Sequence, residues 1–359
     1  MADQRLRFLV LGANGFLGGH VARLIESGFG EGIFVARRRP HPTAPGEWEE
    51  FDVVQESERA LGRLLERHRP DAVVNCVGAT TGSPGELKRV NLLATSRLVS
   101  ALAQGSGTHL VQLGSAAEYG PSETLAPVHE TTRARPASDY GATKLAATEL
   151  VAEAVGNGQI SATVLRVFNP IGAGAPGWSL VGHAVLALRE ASRSGAPSVV
   201  LGRLDSSRDF IDARDVARAV LAAASRRGRS AEVPVILNVG RGIPVSTRWI
   251  VRRLARIAHF EGEIIEHDES SRRSDLVVSQ WADTTAARVS LGWVPRYLLS
   301  EALVEAWTLR PLPSPAELHV TPPDPTCFEM PSPPKRLQVP PPGLDLQPQG
   351  ATTRYHSSV

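Results

Sequence analysis

Cysteine, lysine and aromatic residues are all scarce in this 359-residue chain. The two cysteines, Cys76 and Cys327, stand far apart and offer neither a disulfide framework nor metal-ligand spacing, so no metal site is expected. No apolar run approaches the roughly 20 residues that span a bilayer. No basic-then-apolar leader opens the chain, and the expectation is a cytoplasmic protein with no membrane partner. A formal net charge of +2 gives no case for a nucleic-acid partner. Lysine occurs only at Lys88, Lys144 and Lys335, among 39 basic residues. Arginine serves wherever a positive charge is enough, so a persisting lysine marks a place where a compact ammonium with a tunable pKa is wanted.

What is present is ordinary for a large globular chain: 42% hydrophobic and 21% charged residues. Strand and helix patterns alternate through the first half. Arg7 to Leu11 reads as a short buried strand, followed by Gly12, Gly15 and Gly18 and then a helical face of Leu17, Val21, Leu24 and Ile25. Glycines at this spacing form a tight strand-to-helix turn, and Asn14, Phe16 and Leu17 complete a helix start that offers free N–H groups to phosphate oxygens. An ordinary strand–helix loop would show the same glycines. Ile33 to Ala36 is the second strand, and Arg37-Arg38-Arg39 follow where an acidic residue would hold a ribose. Their presence favours NADP over NAD, with NAD still admitted; a solvated basic loop is the alternative. Asp52 and Val53 end a third strand, where Asp52 would meet an adenine edge or cap the next helix. Asp71 to Ala79 is a fourth strand whose Val77-Gly78 turn suits a cofactor lying across strand ends, or is a plain turn. Asn91, inside a helix from Val90 to Leu102, has a polar role or faces solvent.

His109 to Leu113 is a fifth strand with Ser115 at its C-terminal end, where ligands bind in open α/β sheets. A helix from Ser138 to Val155 carries Tyr140 and Lys144 four apart, on one face. Ala162 to Val167 is a sixth strand. The expected fold is α/β: a Rossmann-like doubly wound parallel sheet over residues 1–167 and a smaller mixed substrate-binding region over 168–310. The region 168–310 shows short strands near 199–202, 209–212 and 236–239 and helices near 216–224 and 247–258. Residues 311–359 hold thirteen of the 27 prolines and read as a disordered tail.

Moving a hydride on or off a carbinol carbon requires a proton to move at its oxygen. A phenol does this near neutral pH only if its anion is stabilised, since its reference pKa is about 10. An ammonium on the same helical face supplies that stabilisation. A serine hydroxyl at a strand end orients the substrate oxygen. Tyr140, Lys144 and Ser115 are the candidate catalytic residues.

These residues resemble the extended short-chain dehydrogenase/reductases, over about Arg7 to Trp307. Gly12-x-x-Gly15-x-x-Gly18 looks like that family's cofactor turn, and Tyr140-Gly-Ala-Thr-Lys144 looks like its Tyr-x-x-x-Lys pair. The resemblance implies Tyr140 as acid/base, Lys144 lowering its pKa and holding the nicotinamide ribose, and Ser115 orienting substrate. The second half resembles the nucleotide-sugar branch. There Asn169 in Phe168-Asn169-Pro170-Ile171-Gly172 would meet the sugar nucleotide. Arg208, and Arg272 in Arg272-Arg273-Ser274-Asp275, would hold its diphosphate. Ala116 and Ala117 stand where 4,6-dehydratases of the branch carry an Asp-Glu pair, which leaves a ketoreductase or a 4-epimerase. The pattern looks most like reductases of GDP-4-keto-6-deoxy-D-mannose. A ketoreductase on a non-nucleotide intermediate and a non-catalytic NADP-binding sensor are the other readings. The resemblance also implies a homodimer through the helices Val90 to Leu102 and Ser138 to Val155.

Overall fold

Strands buried on both faces lose the polar alternation of a half-exposed sheet. Phe8-Leu9-Val10-Leu11 and Ala72-Val73-Val74-Asn75 show no such alternation, and all eight residues are buried. The structure, a computed structural model, describes residues 5–38, 46–105, 107–121, 126–225, 235–267 and 279–308. Arg39, Arg272 and the segment 311–359 lie outside the described residues.

The first half runs β1 (Arg7–Leu11), α1 (Phe16–Leu24), β2 (Glu31–Ala36), β3 (Glu47–Glu50), α2 (Glu58–His68), β4 (Ala72–Asn75), α3 (Pro84–Leu87), α4 (Ala94–Ala103), β5 (His109–Ser115), α5 (Asp139–Gly156) and β6 (Ser161–Val167). The second half runs β7 (Pro170–Ile171), α6 (Leu180–Ser194), β8 (Ser198–Gly202), β9 (Ser207–Asp209), β10 (Ile211–Asp212), α7 (Ala213–Ala224), β11 (Ile236–Val239), β12 (Pro244–Ser246), α8 (Thr247–Ile257), β13 (Glu263–His267), β14 (Ser279–Gln280), α9 (Thr285–Leu291) and α10 (Leu299–Thr308).

Seven strands form one sheet in the order β3-β2-β1-β4-β5-β6-β11. Every pairing in it is parallel. The chain reverses direction across the sheet between β1 and β4, which is where open α/β sheets place their ligands. One face buries Phe8, Val10, Val74, Val111 and Leu165 against Val21 of α1 and Val216 and Val220 of α7. The other buries Leu9, Leu11, Val73, Leu110 and Val164 against Leu61 and Leu64 of α2 and Leu98 of α4. The doubly wound Rossmann-like sheet expected from the alternating pattern is therefore the architecture. A separate core joins α6, α8 and α10 through Val181, Leu188, Ile250, Leu254 and Leu303.

Two features of the second half have no counterpart in the sequence reading. The chain returns to the first sheet after residue 167, because β11 pairs with β6 and α7 packs on the β1 layer. The 15-residue helix α6 was not expected at all. Its face is interrupted by Gly182, His183 and Arg189 among small alanines, which weakens the apolar period.

Candidate active site

The glycine turn is built by contacts that exclude side chains. Gly12 has φ +75°, and its N–H donates to Val35 O at 2.9 Å, fixing the turn to the end of β2. The N–H of Gly15 then donates to Gly12 O at 3.0 Å. A Cβ on Gly18 would lie 2.2 Å from Gly12 O. Gly15 caps α1 with no side-chain hydrogen bond, and no acidic residue stands in the first turn, so the N–H groups around Phe16 and Leu17 are open to an anion. These features fit a dinucleotide pyrophosphate. Arg37 and Arg38 follow β2 and are exposed. Asn14 Nδ2 donates to Arg38 O at 3.4 Å, tying that loop to the glycine turn.

The β4 end completes this edge. A Cβ on Gly12 would approach Cys76 and Val77 within 3.2 Å, so the glycine turn and the Val77-Gly78 loop are in direct contact. Asn91 is buried within a π-type turn over Lys88–Leu93. Its Oδ1 accepts from Ala79 N at 2.9 Å, while its Nδ2 donates to Ala79 O at 2.9 Å and Thr143 Oγ1 at 3.0 Å. Asn91 thus has the polar role, fixing the loop beyond Gly78 to α5. Asp52 caps no helix. Its carboxylate accepts from Val54 N at 2.9 Å beside the buried Val53, and Ser57 caps α2.

Ser115 ends β5, with its Oγ accepting from Ala117 N at 3.2 Å. Tyr140 lies in the first turn of α5, whose cap Ser138 accepts from Gly141 N at 3.1 Å. A Cβ on Gly141 would meet Ala117 O at 2.5 Å, so the N-terminus of α5 rests directly on the turn that follows Ser115. Lys144, one helical turn on, is buried and donates from Nζ to Leu113 O at 2.5 Å. Burial lowers the Lys144 pKa, and the nearby Glu118 carboxylate opposes that shift. The start of α5, which carries Tyr140, thus packs on the turn after Ser115, and Lys144 of the same helix is bonded to β5.

The substrate-side candidates follow in space. Ser115 is in register with Val167 of β6, and Asn169 lies two residues beyond. Asn169 Nδ2 donates to Asp209 O at 2.8 Å, which brings Arg208 into the same wall. Burial lowers the Arg208 pKa to about 10, with Asp205 opposing. Buried Asp209 accepts from the N–H groups of Arg241, Gly242 and Ala282, clasping two segments beside Arg208. Burial raises its pKa to about 6, and those N–H donors oppose the rise.

Residues 8–240 match the NAD dependent epimerase/dehydratase family. The chain belongs to this family. It is accordingly an NAD(P)-dependent enzyme of the extended short-chain dehydrogenase/reductase type. Over 306 residues it is 39% identical to the dTDP-6-deoxy-L-talose 4-dehydrogenase (NAD(P)(+)) of Kitasatospora kifunensis, covering 84% of this chain and 95% of the relative. It is 28% identical to the GDP-6-deoxy-D-mannose reductase of Pseudomonas aeruginosa, covering 83% and 94%. The solved structure of RMD from Pseudomonas aeruginosa complexed with NADPH superposes with a TM-score of 0.71 at 26% identity, over 84% of this chain and 97% of that one.

Two parts of this family member's site escaped the sequence reading. Glu118 is fully buried beneath Ser115, although Ser115-x-x-Glu118 carries the Ser-x-x-Glu spacing of a capping box. His20 on α1 donates from Nε2 to Ala173 O at 3.0 Å, linking the helix of the glycine turn to the loop beyond Asn169. Among the described residues no helix is long and apolar enough to cross a membrane, and none group as three or more metal-ligating His, Cys, Asp or Glu side chains.

Burial, followed by the Arg23 charge, lowers the His20 pKa to about 3. The unfolded chain therefore binds a proton below about pH 6.5 that the folded chain refuses. Stability from this site is complete above that pH and falls as pH drops toward 3, by up to about 1.4 kcal/mol per unit. His20→Gln keeps an N–H for Ala173 O and removes the titration. The melting temperatures of wild type and variant, measured from pH 7.5 to 5, are expected to converge as the solution is acidified. Parallel curves would contradict the assignment.

Proposed function

We propose that the chain uses NADPH to reduce a nucleotide-linked 4-keto-6-deoxy sugar, with Tyr140 protonating the new 4-hydroxyl. The turn between Ser115 and α5 carries this reading. Positions 116 and 117 are alanines against the helix that holds Tyr140, and two methyl groups cannot move the proton that a dehydration requires. Ser115 Oγ accepts from Ala117 N, which leaves its O–H proton to donate to the substrate oxygen. Tyr140 gives its proton to that oxygen, and the ammonium of Lys144 stabilises the phenolate left behind. The nicotinamide cofactor supplies the hydride when bound.

Arg37 and Arg38 directly follow β2, at the place in the sequence where an acid would otherwise hold the ribose, which suits a 2′-phosphate and supports NADP over NAD. On the substrate side, Asn169 meets the sugar nucleotide and Arg208 pairs with its diphosphate, with Arg272 as the second phosphate contact. Oxidation at C4 in one relative and reduction in another make and break the same type of C–H bond, which supports carbonyl chemistry at this site.

The deciding experiment combines purified protein with NADPH or NADH and a panel of dTDP-, GDP- and UDP-linked 4-keto-6-deoxy sugars, followed by absorbance at 340 nm and product analysis. NADPH oxidation with at least one sugar, faster than with NADH, is expected. No oxidation with any sugar, together with 4-epimerisation of an ordinary nucleotide hexose, would replace this reading by an epimerase.

A further inference from the structure

We propose that Glu118 is a positioning residue for the reaction, its carboxylate holding the Ser115 turn from beneath. The proposal rests on the catalytic reading of Ser115 given above. Oε1 of Glu118 accepts from the backbone N–H of Ser115 at 2.8 Å, and Oε2 meets Nε of Arg166 at 2.7 Å. The Glu118 side chain is 0% exposed and that of Arg166 4% exposed. A buried charge pair that broke even against apolar side chains of the same volume would have no reason to sit here for stability alone. It is placed instead under the backbone N–H of Ser115, the residue whose Oγ is in turn held by Ala117 N.

The fit around the carboxylate is close. A Cβ on Gly114 would lie 2.8 Å from Glu118 Oε1, so β5 accepts the carboxylate only because residue 114 has no side chain. The Arg166 guanidinium also lies over the Tyr119 ring, 4.5 Å from its centroid. The same carboxylate faces Lys144 and opposes the burial that lowers its pKa. Glu118 therefore reaches the serine through a hydrogen bond and the lysine through its charge, touching neither substrate nor cofactor.

The rest of the turn is held independently. Gln280 Nε2 donates to Gly120 O at 3.0 Å, and Tyr119 OH donates to Asn238 Oδ1 at 2.6 Å. Removing the Glu118 charge should consequently loosen Ser115 without unravelling residues 116–120.

A double-mutant cycle on the full chain tests this, using NADPH and the panel sugar that wild type turns over fastest. Glu118→Gln is expected to lower kcat about 10- to 100-fold, with KM for NADPH within about twofold. In a Ser115→Ala background the same change is expected to cost several-fold less, because the serine it positions is gone and only its charge on Lys144 is left to lose. An equal cost in both backgrounds would show a merely structural role and overturn the proposal, as would a Glu118→Gln enzyme as fast as wild type. Glu118→Gln leaves the Arg166 charge unpaired, so Glu118→Gln/Arg166→Gln is measured beside it. The pair is expected to recover melting temperature but not kcat; recovery of both would also overturn the proposal. A Ser115→Ala enzyme with full activity would defeat the catalytic reading itself, whatever Glu118 does.

Discussion

Replacing Tyr140 with phenylalanine is expected to lower kcat by about 10²- to 10⁴-fold, the usual worth of a positioned acid/base, while NADPH still binds. The substitution removes one oxygen and leaves the ring in the first turn of α5. The Ser138 cap on Gly141 N and the packing of Gly141 on Ala117 are untouched, so the helix start has no reason to move. Lys144 keeps its hydrogen bond to Leu113 O and its buried place beside Glu118. The lost step is proton delivery to the substrate oxygen. Single-turnover oxidation of NADPH would read the chemical step, and a fluorescence titration would read cofactor affinity. A variant within about threefold of wild type in kcat would remove Tyr140 from the mechanism.

Gly18→Ala has the second large effect, and it acts through backbone. The added methyl would sit 2.2 Å from Gly12 O, 2.9 Å from Gly12 C and 3.0 Å from Ala13 Cα. None of these atoms belongs to a side chain that could rotate away. Gly12 and Ala13 are both tied to Val35 O, so relief has to come from α1. That helix is itself packed against α7 through the core that holds Val21 and Val216. A stability loss of about 1–3 kcal/mol is expected, in the range of overpacked cores. NADPH affinity should fall at least about 100-fold, because the N–H groups at the start of α1 lose their aim at the phosphates. Gly62→Ala is the control: a Cβ there meets nothing within 4 Å, and alanine should raise helix stability by about 0.5–1 kcal/mol. A Gly18→Ala protein that melts with wild type and binds NADPH equally well would mean the turn is looser than its contacts imply.

The parts of the site legible in the sequence are those that local geometry writes as spacing. Glycines three apart between a strand and a helix, or Tyr and Lys four apart on one helix, are short-range patterns: the glycine turn follows β1, and Tyr140 and Lys144 share α5. What stayed illegible depends on partners far away in the chain. The ion pair that holds Glu118 buried comes from Arg166, 48 positions on, and Tyr119 is bonded to Asn238, 119 positions on. Asn91 left two readings open because a helix period cannot tell solvent from the loop at Ala79. Strands of two or three residues, such as β7, β9 and β14, are too short to show alternation. The return of β11 to the main sheet is a matter of pairing, which a four-residue segment does not specify.

That return has a consequence for biosynthesis. The core on the α1 face joins Phe8 to Trp293, so the first strand made waits for almost the whole described chain before its layer is complete. A nascent chain that has reached only Val167 would carry β6 as an open edge, with Leu165 and Val167 lacking the cover that β11 and α7 later bring. Such an edge is a template for pairing with a neighbouring chain. The closing strand is only four residues long, Ile236–Val239. Cutting the gene into a cofactor half and a substrate half at residue 167 would make that exposed intermediate permanent.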